Sequence, residues 1–273
     1  MKISVLSTLF SRFSLDHAFA SAAQAGYDGI DLGSCRSHCY PYDMDTRRID
    51  HILNLKDFWH LEIPVYCLDL LGHPYNMASV EPIERADTVA LISRAIDVCT
   101  DIGIPKLLIN AGHTGYCTTR EQNYKNLFES LTPLVKKAEE TKVTLLYEPL
   151  TIMESNVVVF ADDVKDVLAY FQSPYLKTMM DTVTPVVNKE SFTEHFEKLG
   201  SDIEHIHFVD SNGVDQTHLP LGTGVLNLEA LRDLILRYGY DKWLCSEIIS
   251  CGLYQPDLIA IRECRRIREL FGI

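Results

Sequence analysis

Short apolar runs rich in β-branched residues alternate with longer runs whose apolar positions recur every three or four residues, and the alternation repeats eight times along the chain. The short runs predict strands at Ile3–Ser7, Gly29–Leu32, Pro64–Leu68, Lys106–Asn110, Thr144–Glu148, Lys177–Asp181, His205–Val209 and Trp243–Glu247. Between them the spacing predicts helices, among them Leu15–Ala25, Ile83–Ile102, Tyr124–Glu140, Val164–Phe171, Leu228–Tyr238 and Leu258–Leu270. Gly26, Gly103 and Gly239 each close a helical run, where a left-handed C-terminal cap favours glycine.

Strand and helix alternating in this way build a parallel α/β sheet. No Pro/Ser-rich linker or charge run divides the chain, so residues 1–273 are expected to form one domain with a C-terminal helix. Eight units in this length predict a closed (β/α)8 TIM barrel, a fold that usually takes about 250 residues. An open doubly wound sheet is the alternative, and the lack of any reversal in the order of the units favours closure.

Composition narrows the function. With 25 Lys+Arg against 38 Asp+Glu the net charge is −13, which argues against a nucleic-acid partner. At 47% hydrophobic and 23% charged residues the chain reads as an ordinary folded protein. No run approaches the roughly 20 apolar residues of a membrane span, and the N-terminus lacks a leader pattern, so no membrane partner and a cytoplasmic location are expected. The eight cysteines are scattered in apolar segments and read as small buried hydrophobes in a reducing compartment. The cluster Cys35-Arg36-Ser37-His38-Cys39 lacks the second spaced pair of a zinc site.

In a barrel of this kind the chemistry sits at the carboxyl ends of the strands. Four consecutive predicted strands end on polar donors: Glu148, Asp181, His207 within the run from His205 to Asp210, and Glu247. Carboxylates gathered in a barrel mouth need a shared positive partner, and no Lys or Arg ends a neighbouring strand. Three carboxylates and an imidazole make a mixed O/N donor set, suited to one divalent metal ion per chain: Mn²⁺ first, with Co²⁺, Ni²⁺ or Mg²⁺ as alternatives. Each residue taken singly is a polar group at a strand terminus; four on consecutive strands are a site. His205, one pleat deeper than His207, is expected to be a hydrogen-bonded core histidine.

These residues stand in segments that resemble the xylose-isomerase-like sugar epimerases, in particular the fructoselysine-type branch of the ketose 3-epimerases. The resemblance covers nearly the whole chain: GYDGIDL after the first helix, HPYNM, AGHTGY, EPLTIMESNVV, MMDTVTP, HIHFVDSNGVDQTH and LGTGVLNL. It implies metal ligands at Glu148, Asp181, His207 and Glu247, a catalytic pair at Glu148 and Glu247, and a substrate contact at Glu154. It further implies C3 epimerisation of a ketose derivative, fructoselysine to psicoselysine, by proton abstraction and return through a metal-bound cis-enediolate, with no organic cofactor and with assembly as a homodimer or homotetramer. Where the tagatose-type members carry a histidine three residues past the aspartate and an arginine six past the histidine, this chain has Thr184 and Gly213. Both groups contact substrate there, so a derivatised ketose is expected ahead of a free one. A free-ketose epimerase or isomerase is the nearest alternative; an abasic-site endonuclease barrel and an inactive sensor are remoter ones.

Loops at the active-site end favour substrate contact. Tyr75, Asn76 and His73 after the third strand, His113 and Tyr116 after the fourth, and His218 after the seventh are the candidates, with Asp210 and Asn212 behind them. Gly222-Thr223-Gly224 suggests a phosphate loop, but without a Lys or Arg in that segment a turn is expected. Trp59 and the Tyr and Phe residues at helical spacing read as core.

Overall fold

The computed structural model describes residues 1–71, 74–249 and 254–273. Eight parallel strands close into a barrel: β1 (Lys2–Leu6), β2 (Gly29–Gly33), β3 (Tyr66–Cys67), β4 (Lys106–Ile109), β5 (Thr144–Tyr147), β6 (Leu176–Asp181), β7 (Ile203–His207) and β10 (Trp243–Ser246), with β1 pairing both β2 and β10. A small antiparallel pair, β8 (Asp210–Ser211) and β9 (His218–Leu219), stands after β7. The strand expected over Pro64–Leu68 reduces to two residues, and proline at 64 has no N–H to extend the ladder.

Helices α1 (Leu15–Ala25), α3 (Pro82–Ile102), α4 (Arg120–Thr141), α5 (Ala161–Phe171), α8 (Leu228–Arg237) and α9 (Pro256–Phe271) match the periodic runs. α2 (Thr46–Trp59), α6 (Val183–Asn188) and α7 (Phe192–Leu199) complete the set among the described residues; the last two are short, and tertiary packing rather than a long apolar stripe holds them. The hydroxyls and carboxylate of Ser14, Asp45 and Thr119 cap α1, α2 and α4 by accepting backbone N–H groups. Gly26, Gly103 and Gly239 follow α1, α3 and α8 at φ of 93°, 81° and 68°.

The main apolar core lies between the barrel and its helices. A second buried cluster, Leu6, Val65, Cys67, Leu108, Leu146, Met179 and Cys245, is contributed by the barrel wall, and several of its members line the floor of the mouth. Among the described cysteines five are buried, Cys35 is half-buried and Cys117 exposed, all as free thiols; Cys251 lies outside the described residues. His38 bonds the Ser7 hydroxyl and the Phe13 carbonyl through its two ring nitrogens, so its Cys35–Cys39 segment offers no free imidazole to an ion.

Candidate active site and metal centre

Parallel neighbours place the four strand-end donors side by side. β5, β6, β7 and β10 are consecutive in the barrel, Asp181 pairs His207 in register, and Glu148 and Glu247 directly follow β5 and β10. All four are at least nine-tenths buried. One donor atom each from Glu148, His207 and Glu247 lies within 4.8 Å of the others, and the same holds for Asp181, His218 and Glu247. Glu247 therefore joins two triads into one cluster.

His207 Nδ1 stands 2.5 Å from Glu247 Oε2 and 3.9 Å from Glu148 Oε1, yet off the direction a hydrogen bond requires, and neither ring nitrogen has a hydrogen-bond partner among the described residues. A buried imidazole left in this state among carboxylates is unusual in a folded protein. His218 on β9 donates through Nδ1 to the Gln216 carbonyl at 2.8 Å, which turns Nε2 toward Asp181 Oδ2 at 2.9 Å and Glu247 Oε2 at 3.3 Å. Among the described residues no Lys or Arg lines the surrounding cavity of about 730 Å³. Three carboxylates and two imidazoles, with both ring nitrogens of His207 unpartnered among the described residues, fit a divalent ion of intermediate hardness.

The electrostatics of the chain alone are lopsided. Burial, reinforced by Glu247, pushes the Glu148 carboxyl up to about 8. Burial also acts upward on Glu247, but His207 and His218 outweigh it and hold that carboxyl below the usual range. Burial pulls His207 down, while Glu247, Glu148 and Asp181 outweigh it and raise the imidazole to about 9. His218 rises well above its ordinary value because Asp181 and Glu247 overcome its burial.

Of the expected substrate contacts, Glu154 and His218 line the cavity. Glu154 accepts from the Thr151 hydroxyl at 2.7 Å, and burial raises its carboxyl. Tyr75, Asn76 and His113 do not line it. The Asn76 amide is used by the His113 carbonyl and the Ala78 N–H, the Tyr75 hydroxyl meets that of Tyr40, and His113 Nδ1 accepts from the Gly115 N–H, so these three build the loops that rim the mouth. His73 lies outside the described residues.

Two side chains answer questions the motifs raised. Asp210, fully buried, accepts the N–H groups of Gly222, Gly224 and Leu226, so an internal carboxylate fills the cradle that a phosphate would need. His205, also fully buried, bonds Asp31 Oδ2 at 2.7 Å across the barrel, the core role expected of it. Sequence reasoning missed Asn110, which ends the β4 run on a polar residue and reaches into the cavity with Nδ2 donating to Glu148 Oε2 at 3.0 Å. The signal was the same strand-end polarity that marked Glu148.

A family model described as "Xylose isomerase-like TIM barrel" matches residues 19–270. The chain is 35% identical over 271 residues to fructoselysine 3-epimerase of Shigella flexneri, covering 99% of this chain and 98% of that one. Among solved structures, a D-tagatose 3-epimerase-like protein superposes with a TM-score of 0.86 at 21% identity, over 100% of this chain and 97% of the other. The IOLI protein, solved with a bound zinc atom, superposes at 0.84 and 13% identity, over 100% and 98%.

Proposed function

Because the chain belongs to the xylose isomerase-like TIM barrel family, we propose that it is a metal-dependent isomerase that inverts C3 of a ketose derivative, with fructoselysine and psicoselysine as the epimeric pair. The observation that carries this reading is the cluster of Glu148, Asp181 and Glu247 with His207, an imidazole that has no hydrogen-bond partner among the described residues. The named activity of the 35% identical relative supports the substrate class. A mouth lined by carboxylates, Asp69 and Glu154 among them, and among the described residues by no Lys or Arg, supports an amine-bearing sugar over a phosphorylated one.

Glu148, Asp181, His207 and Glu247 would hold the ion; when bound, it supplies Lewis-acid polarisation of the substrate carbonyl and the hydroxyl beside it. Removing a proton from C3 leaves an enediolate, and inversion requires that a proton return to the opposite face. One of Glu148 and Glu247 takes the C3 proton and the other delivers one, each from its own strand and its own side of the substrate plane. Glu154 and His218 orient the substrate from the cavity wall. Loops built by Tyr75, Asn76 and His113 limit the entry of water. No organic cofactor takes part. The reading includes a cytoplasmic homodimer or homotetramer: the free thiols support the compartment, and sedimentation measures the assembly.

The test is incubation with Mn²⁺ or Co²⁺ in D₂O. Deuterium should appear at C3 of fructoselysine together with its epimer. A chain that exchanges C3 of tagatose or fructose faster is a free-ketose enzyme, and one that exchanges C3 of no ketose is not a ketose 3-epimerase.

A further inference from the structure

Within the lumen of the barrel, Asn110 is 3% exposed and its amide is only half used. Nδ2 donates to Glu148 Oε2 at 3.0 Å, while Oδ1 is buried without a hydrogen-bond partner among the described residues. When it holds the ion Glu148 is ionised, and an ionised carboxyl only accepts, which fixes the way the amide points. Asn110 follows Leu108 by one pleat on the wall of the cavity, so the orphaned oxygen belongs to the same space as the glutamates. Leaving an amide oxygen buried and unpaired is costly, and the cost is recovered when a ligand brings a donor to it.

Given the reading above, on which this step rests, the donor can be identified. A side chain tied directly to Glu148 stands beside the carbon that Glu148 serves, C3. The hydroxyl on C3 itself is the one the ion would hold, and of the two neighbouring carbons C2 carries a carbonyl oxygen, which accepts and cannot satisfy another acceptor. C4 carries a hydroxyl, which donates. We infer that Asn110 is a substrate-binding residue whose Oδ1 accepts a hydrogen bond from the C4 hydroxyl of the ketose while its Nδ2 holds Glu148 in line with C3. The C4 hydroxyl is then a recognition element of the substrate class, and Asn110 couples correct seating of the sugar to the orientation of a proton carrier.

The experiment is a cycle of one substitution and one missing hydroxyl, read by calorimetric binding to the Mn²⁺-loaded protein. Wild type should bind the 4-deoxy ketose about 10-fold more weakly than the parent ketose, the usual worth of one hydrogen bond. Asn110→Ala, and Asn110→Leu as an apolar near-isostere, should bind the parent ketose about 10-fold more weakly and the 4-deoxy compound no worse than wild type does. Losses that simply add, with the variants still discriminating the 4-deoxy compound about 10-fold, overturn the inference and leave the epimerase reading intact. A wild type that binds no ketose overturns both. A crystal of the loaded wild type with the ketose gives the same answer without a substitution: Oδ1 about 3 Å from the C4 oxygen supports the inference, and a separation above about 4 Å ends it.

Discussion

Replacing Glu148 by Gln should stabilise the metal-free protein at alkaline pH, the reverse of what loss of a buried side chain usually does. Burial and the neighbouring Glu247 raise the Glu148 carboxyl from an ordinary 4.5 to about 8. A group whose folded pKa is raised stabilises the fold fully below its unfolded value and loses that contribution as pH climbs through the folded value. Wild type without metal therefore loses stability between about pH 4.5 and pH 8, where the unfolded chain releases a proton that the buried carboxyl retains. At about 1.4 kcal/mol per pKa unit the full penalty is about 5 kcal/mol. That figure is already net of the pull of charged His207 on the ionised carboxylate, and relaxation with water entry at the open mouth lowers the cost further. About 2 kcal/mol should survive, or about 4–8 °C in melting temperature for a chain of this size. Asn110 can still donate to the side-chain carbonyl oxygen of the introduced glutamine, so the packing is kept. The assay is thermal melting of EDTA-treated wild type and Glu148→Gln at pH 5 and pH 9: the variant should match wild type at the lower pH and exceed it at the higher. Added Mn²⁺ should reverse the order by raising wild type more. A metal-free variant that melts at or below wild type at pH 9, or that gains equally at both pH values, refutes the reasoning.

Glu148→Gln and Glu247→Gln should each lower turnover about 10²–10⁴-fold. With the two C3 epimers assayed in opposite directions, each variant should lose proton washout from one epimer more than from the other; equal losses from both end the assignment of one glutamate per face. Asp181→Ala should first weaken the retention of Mn²⁺, seen as a smaller metal-induced rise in melting temperature. Asp210→Ala strips the acceptor from four backbone N–H groups, those of Ser211, Gly222, Gly224 and Leu226, and should cost about 3–5 kcal/mol in denaturant unfolding; Gly224→Ala should be comparably harmful, since its Cβ would overlap the Ser211 carbonyl and the Asp210 carboxylate. Asp31→Leu and His205→Leu should each destabilise by about 3–5 kcal/mol as a buried partner is stranded, while the double variant costs clearly less than the two together.

Alternation of strand-like and helical runs, read without any contact information, determined the barrel, because each βα unit announces itself through local periodicity and the glycines that end its helix. The same local reading found Glu148, Asp181, His207 and Glu247, since the end of an apolar strand is a place the chain marks by itself. It sorted His205 from His207 by pleat alone, and the Asp31 partner that makes His205 a core residue lies on a strand 174 positions away. Tertiary structure decided what depends on such distant pairs. Pairing of β4 with β5 set Asn110 beside Glu148, the β8–β9 turn carried His218 over to Asp181 and Glu247, and Asp210 filled the glycine turn from the inside. Tyr75, Asn76 and His113 have the composition of substrate contacts, but the Tyr75 hydroxyl, the Asn76 amide and His113 Nδ1 are taken by neighbouring loop groups that no local pattern names. Periodicity is a property of adjacent residues, whereas a hydrogen bond across a barrel is a property of closure.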